Sequence, residues 1–185
     1  MAPYMVNNIK VSLKFNTSEP STTRKLKEFS RESAFVTKTS VNFFVLRYKF
    51  VYIVFHSGHI NCTKIPSITE IDNSIENIQK LLPWLIIDTD YIIDNISANG
   101  CLTDKYLNLF KFSTFLKTSI QSHHFNPQQF PGLYTKYKDV TYIIFSSGRF
   151  VAVGSKSLDQ LNESYVLFFN NVKHYLPAVS YDKQK

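Results

Sequence analysis

The sequence predicts an α+β protein in which one continuous antiparallel sheet carries all its helices on one face. Three observations predict it. The chain repeats itself with an offset of 90, the separation of Phe55 and Phe145. Within each copy, short runs rich in Val, Ile, Tyr and Phe alternate with turn residues, as in strands that pair into hairpins. Each copy then closes on a segment whose apolar residues recur at three- and four-residue steps, the mark of a helix with one buried face.

Taken in order, residues 9–15 read as a strand and residues 22–29 as a short helix with Leu26 inward. Residues 41–47 form the next strand. The stretch VYIVFHSGHINCTK, residues 51–64, reads as a hairpin around Ser57 and Gly58, glycine permitting the positive backbone angle of a tight turn. Ile68, Ile71, Ile75, Ile78 and Leu82 then mark a long helix. The offset carries these onto Leu158, Leu161, Tyr165, Phe168 and Val172, every one apolar.

The second copy starts with a strand at residues 91–98, a short helix at 113–119 with Leu116 inward, and a strand at 131–137. Its hairpin, TYIIFSSGRFVAVG at residues 141–154, turns at Ser147 and Gly148. Asn8 and Asn95 differ by 87 rather than 90, which places a small insertion near residues 99–109. The repeats accordingly run over residues 6–86 and 87–177, with Pro83 and Pro177 turning the chain after the long helices and a polar tail at 178–185. Strand, helix, three strands, helix, done twice, leaves the second face of the sheet available for something else.

Composition narrows the function. A hydrophobic content of 44% supports an ordinary packed interior, and a net charge of +7 favours a polyanionic partner. The charge is dispersed rather than gathered in a polybasic run. Cys62 and Cys101 have no zinc-ligand spacing and cannot form a disulfide framework, which points to a reducing, intracellular location. No apolar run is long enough for a membrane span, so no membrane partner is expected. The motifs of nucleotide hydrolases, zinc proteases and serine hydrolases are missing, and His123 and His124, adjacent on an extended chain, point apart and lack accompanying ligands. Neither an enzyme nor a metal or other cofactor is expected.

The segment FNPQQFPGLYTKYKDVTYIIFSSGRFVAVGSKS, residues 125–157, closely resembles the second-repeat signature of the TATA-box-binding protein family. Its cues are Asn-Pro-x-x-Phe-Pro-Gly-Leu, an Ile-Phe-x-Ser-Gly-basic turn, and Val-x-x-Gly-x-Lys. The likeness extends from Asn8 to about Pro177, strongly in the second repeat and faintly in the first. It implies a two-repeat saddle with a curved sheet, whose concave face binds DNA in the minor groove and whose convex face carries the helices.

The same resemblance assigns roles by position. Phe130 and Phe145 would intercalate at one kink, and Phe55 supplies one ring of the other. The partner of Phe55 falls on Ser40, which cannot intercalate; Phe43 and Phe44 lie nearby but face opposite ways, so neither is promoted. Asn8 and Asn95 would donate to base-edge acceptors common to A·T and T·A pairs. Ile53, Thr63, Ile143, Val151 and Val153 would line the groove, while Lys10, Asn61 and Ser97 stand where the family usually has valine. Arg47, Lys136, Arg149 and Lys156 would contact phosphates, and His59 replaces the basic residue of the first turn.

The implied function is transcription initiation: AT-rich double-stranded promoter DNA bent by phenylalanine wedges, with a B-type general initiation factor and RNA polymerase as partners, in the nucleus or a viral transcription compartment. The alternative is a protein-interaction module that keeps the fold but has lost most DNA affinity, motivated by Ser40 and Lys10.

Overall fold

A computed structural model describes residues 4–119 and 122–177; the polar tail lies outside the described residues. The chain forms two compact units. One is Asn7–Asn95. The other takes in, of the described residues, 4–6 and those from Ile96 to 177. The packing units thus divide inside a strand, whereas the sequence offset sets the repeats at 86/87.

The first unit is built from strands β1 (Tyr4–Lys14), β2 (Val36–Thr39), β3 (Phe43–Arg47), β4 (Val51–Phe55) and β5 (His59–Ile65), paired antiparallel in the order β2-β3-β4-β5-β1. Helix α1 (Pro20–Glu32) follows β1, and a 3-10 turn (Ile68–Glu70) leads into α2 (Ile71–Leu81). The second unit has β6 (Ile92–Cys101), β7 (His123–His124), β8 (Leu133–Tyr137), β9 (Val140–Ile144) and β10 (Arg149–Ser155) in the order β6-β10-β9-β8-β7. Its helices are α3 (Leu109–Ser119) and α4 (Leu158–Val172).

Each unit therefore reads strand, helix, four strands, helix. The sequence did not signal the additional strands β2 and β7. VTKT has no apolar alternation and is largely exposed, and HH is two residues long. Both are short polar edge strands, the kind that resists pairing with another chain. The second copy's insertion also begins as strand, because β6 continues through Cys101 before the chain loops to α3.

Period-two alternation decides which face is which. Ile9, Val11 and Leu13 of β1 are buried, as are Ile60 and Cys62 of β5, while Asn8, Lys10, Ser12, Asn61 and Thr63 between them stay partly exposed. In the second unit Tyr142, Ile144, Phe150 and Ala152 are buried, and Ile143, Val151 and Val153 are partly exposed. The buried rows meet the helices. Phe44 lies 6.1 Å from Phe29 of α1, and Tyr142 stacks at 4.4 Å on Phe168 of α4. Leu26, Ile71, Ile78 and Leu82 complete one interior, and Leu116, Leu161, Tyr165 and Val172 the other. Each such side chain contributes about 1.5–3 kcal/mol by leaving water.

Three deviations from the periodic stripe are local. Ile68 lies half-buried in the 3-10 turn before α2. Leu158, in the first turn of α4, is 42% exposed, and Ile75 is half-buried. A polar tie recurs in both cores: the Tyr52 hydroxyl donates to the Ser74 carbonyl at 2.8 Å, and Tyr142 meets the Ser164 hydroxyl at 2.9 Å. These ties fix each long helix to its sheet and satisfy a buried phenol. In each unit the helices thus cover one face of the strands and leave the other uncovered. No helix among the described residues is long and apolar enough to cross a membrane.

Candidate nucleic-acid interface

The uncovered face of each unit carries a pair of phenylalanines. In the second unit the rings of Phe130 and Phe145 lie 6.0 Å apart, both half-buried, with Tyr134 5.1 Å from Phe130. The loop that aims Phe130 explains its own sequence. The Asn126 carbonyl accepts from the backbone N–H of Gln129 and Phe130, and its side-chain oxygen accepts from Gln128 N–H, so the chain turns tightly before the phenylalanine. A side chain at Gly132 would sit 2.5 Å from the Phe130 ring, so glycine is required for the ring to lie across it. Phe145 directly follows β9 and is held by a hydrogen bond from its N–H to the Arg149 carbonyl. Beside it Asn99, Ser147, Arg149 and Val151 border a surface hollow of about 390 Å³.

In the first unit Phe55 is paired with Phe43, its direct cross-strand partner, at 5.7 Å. Phe44 points the other way and is fully buried. Ser40 is exposed in the turn before β3, its N–H bonded to the Phe43 carbonyl, and it borders a hollow of about 360 Å³ with Lys27, Arg31 and His56. Sequence reasoning left Phe43 and Phe44 undecided. Alternation gave the opposed faces of Phe43 and Phe44 but not which face the helices take.

Asn8 is held in one orientation. Its side-chain oxygen accepts from the Lys64 N–H at 2.7 Å and the Thr63 hydroxyl at 3.0 Å. A backbone N–H can only donate, so the amide oxygen faces inward and the NH2 group is left to donate. Lys64 adopts φ 63 there, and Gly154, its repeat equivalent, φ 100. Asn95 is half-buried in β6. Ile53, Thr63, Ile143, Val151 and Val153 are all half-buried on the uncovered face of their units, whereas Ser97 is buried to 9% exposure.

A polar cluster that the sequence did not reveal occupies the first unit's uncovered face. Asp94 accepts from the Lys10 ammonium at 2.9 Å and from the Ser12 hydroxyl at 2.5 Å, and Ser12 also lies 2.9 Å from the Asn61 amide. Lys10 and Asp94 are distant in sequence, and no motif joins them.

The candidate phosphate ligands are surface groups. Arg47 closes β3, Arg149 opens β10, and Lys156 follows β10, all exposed. Lys136 is exposed too, at 3.1 Å from Asp139 across the tight β8–β9 turn. That pair is solvated on both sides and is worth little to stability, so Lys136 can exchange Asp139 for a phosphate at small cost. Among the described residues no group of three or more His, Cys, Asp or Glu side chains could hold a metal ion.

Comparison with known proteins accords with this arrangement. A family described as Transcription factor TFIID (or TATA-binding protein, TBP) matches residues 90–175. The TATA-box-binding protein of Methanothrix thermoacetophila is 30% identical over 123 residues, covering 62% of this chain and 65% of its own. That of Aeropyrum pernix is 36% identical over 101 residues, covering 53% and 43%. The chain spans less than two thirds of the length of these relatives. The solved structure of Methanococcus jannaschii TBP superposes with a TM-score of 0.73 at 23% identity, covering 92% of this chain and 98% of that one, so the fold is the same.

Proposed function

Given that the chain is a divergent member of the TATA-box-binding protein family, a family of non-enzymatic transcription factors, we propose that it binds AT-rich duplex DNA in the minor groove and bends it. One observation carries the reading: each unit presents two phenylalanine rings within 6.0 Å of each other on its uncovered face. Core phenylalanines would lie under the helices, as Phe44 and Phe150 do.

The chemistry follows from this placement. Phe130 with Phe145, and Phe43 with Phe55, enter base steps and replace lost stacking with ring contact, while the bent duplex meets more protein surface. Asn8, with its oxygen already occupied, donates its NH2 to adenine N3 or thymine O2. Asn95 takes the same role from β6. Ile53, Thr63, Ile143, Val151 and Val153 pack against the groove floor, and Arg47, Lys136, Arg149 and Lys156 take phosphates, making affinity fall with salt. The helices, facing away from the DNA, present their polar sides to a B-type initiation factor and RNA polymerase in the compartment where transcription begins.

The test is a mobility-shift and bending assay on an AT-rich duplex. The double substitutions Phe130→Ala with Phe145→Ala, and Phe43→Ala with Phe55→Ala, are each expected to weaken binding by about 10-fold or more and to reduce the bend. Unchanged binding and bend in both, or no binding by the wild type, would overturn the proposal.

A further inference from the structure

The two repeats present unlike chemistry at equivalent places. Asn61 corresponds to Val151, and the cross-strand pair Ser12 with Asn61 corresponds to Asn99 with Val151. In the second unit Val151 continues into the apolar row of Ile143 and Val153. In the first, the same place holds Asn61, Ser12, Asp94 and Lys10 in one hydrogen-bonded cluster.

Counting hydrogens fixes the direction of that cluster. Ser12 has one hydroxyl hydrogen, and its oxygen lies 2.5 Å from Asp94 Oδ2 and 2.9 Å from Asn61 Oδ1, two acceptors for one hydrogen. A carboxylate only accepts, so at that separation the hydrogen must lie between Ser12 and Asp94. The Ser12 oxygen can then only accept from Asn61, and hydrogen-bond balance turns the Asn61 amide so that its NH2 faces Ser12 and its oxygen faces out. Lys10, 2.9 Å from Asp94, balances the carboxylate charge, which would otherwise repel phosphates. The uncovered face of the first unit therefore offers a fixed, outward acceptor where the second unit offers a valine.

On the floor of the minor groove one group donates hydrogen bonds, the exocyclic N2 amine of guanine. Resting on the minor-groove reading above, we infer that Asn61 is a specificity-determining residue that accepts from a guanine N2 amine, so that the stretch of duplex under the Asn7–Asn95 unit admits a G·C pair. Val151 itself offers the same amine no acceptor, and the polar group at that place is the exposed Asn99 opposite it, which no described contact holds in one orientation as Ser12 and Asp94 hold Asn61.

Binding of the full chain to an AT-rich duplex is compared with a series in which single pairs are replaced by G·C or by I·C, inosine lacking the N2 amine. For the wild type, one or two positions on one side of the site are expected to bind G·C about 2- to 10-fold tighter than I·C, the range of a single hydrogen bond. Asn61→Val, at a half-exposed position that tolerates valine, should bring the I·C to G·C ratio at the favoured positions to one or below. G·C no tighter than I·C at every position, or an unchanged ratio in Asn61→Val, overturns the assignment while leaving minor-groove binding standing. Failure of the wild type to bind the parent AT-rich duplex overturns minor-groove binding itself and this assignment with it.

Discussion

Phe43 and Phe44 are neighbours in the chain with opposite surroundings, and substitution should separate them. Phe44 is fully buried against Phe29 and core residues, so Phe44→Ala should cost about 3–5 kcal/mol, read as a lower urea midpoint. Phe43→Ala should leave the midpoint nearly unchanged and diminish DNA bending. Equal loss of stability in both would contradict the assignment of faces. The cysteines divide in the same way. Burial pushes the Cys62 thiol up to about 12, and Cys101 is exposed with its thiol 2.9 Å from the Thr103 carbonyl. A thiol reagent at pH 8 should modify Cys101 in the native protein and reach Cys62 only after denaturation, as mass spectrometry would show. The sequence told much at this scale wherever a residue's place follows from its repeat position, as for Phe55 and Phe145, which lie at equivalent places on the uncovered faces of their units. It left open Phe43, whose face depends on where α1 packs, and was silent on Asp94, whose partners Lys10 and Ser12 are brought to it only by the folded sheet.

Among the elements, hairpin turns are the positions most sensitive to a single atom. Gly148 has φ +76, and a Cβ there would lie 2.0 Å from the Thr103 carbonyl oxygen, a backbone atom that cannot swing aside. Gly58 has φ +96, but its nearest contact is 3.0 Å from the Phe15 oxygen. Gly148→Ala should therefore destabilise by about 1–3 kcal/mol and by more than Gly58→Ala, measured by chemical denaturation. Both turns were legible, because Ser-Gly between β-rich runs has a mechanism behind it. The β8–β9 turn contains no glycine. Lys138 and Asp139 take φ 43 and 61 there, which joins the two strands with two residues and brings Tyr137 opposite Val140. The strands β2 and β7 were not legible at all, since edge strands need neither apolar alternation nor length.

For the molecule as a whole, burial of acidic protons sets an alkaline limit. Desolvation raises the phenols of Tyr142 and Tyr165 to about 12, raises that of Tyr52 further, and raises the Cys62 thiol likewise. The unfolded chain releases these protons at lower pH, near 9.0 for the thiol and 10.0 for the phenols. The folded state thus binds more protons across that window, and stability should fall as pH rises from about 9 to 12. Urea midpoints at pH 8 and pH 11 should differ, and Tyr52→Phe should narrow the difference; equal midpoints would refute the claim. The fold class was legible from periodicity, but the division of the chain between its two packing units was not. Residues 4–6 belong with the unit that begins at Ile96, where Tyr4 meets the edge of Tyr165 at 5.4 Å. That unit is therefore discontinuous along the chain. A ribosome must have delivered Tyr165 before Tyr4 can dock, so the start of β1 is left waiting through most of synthesis, and a fragment starting at Ile96 would lack part of its own wall.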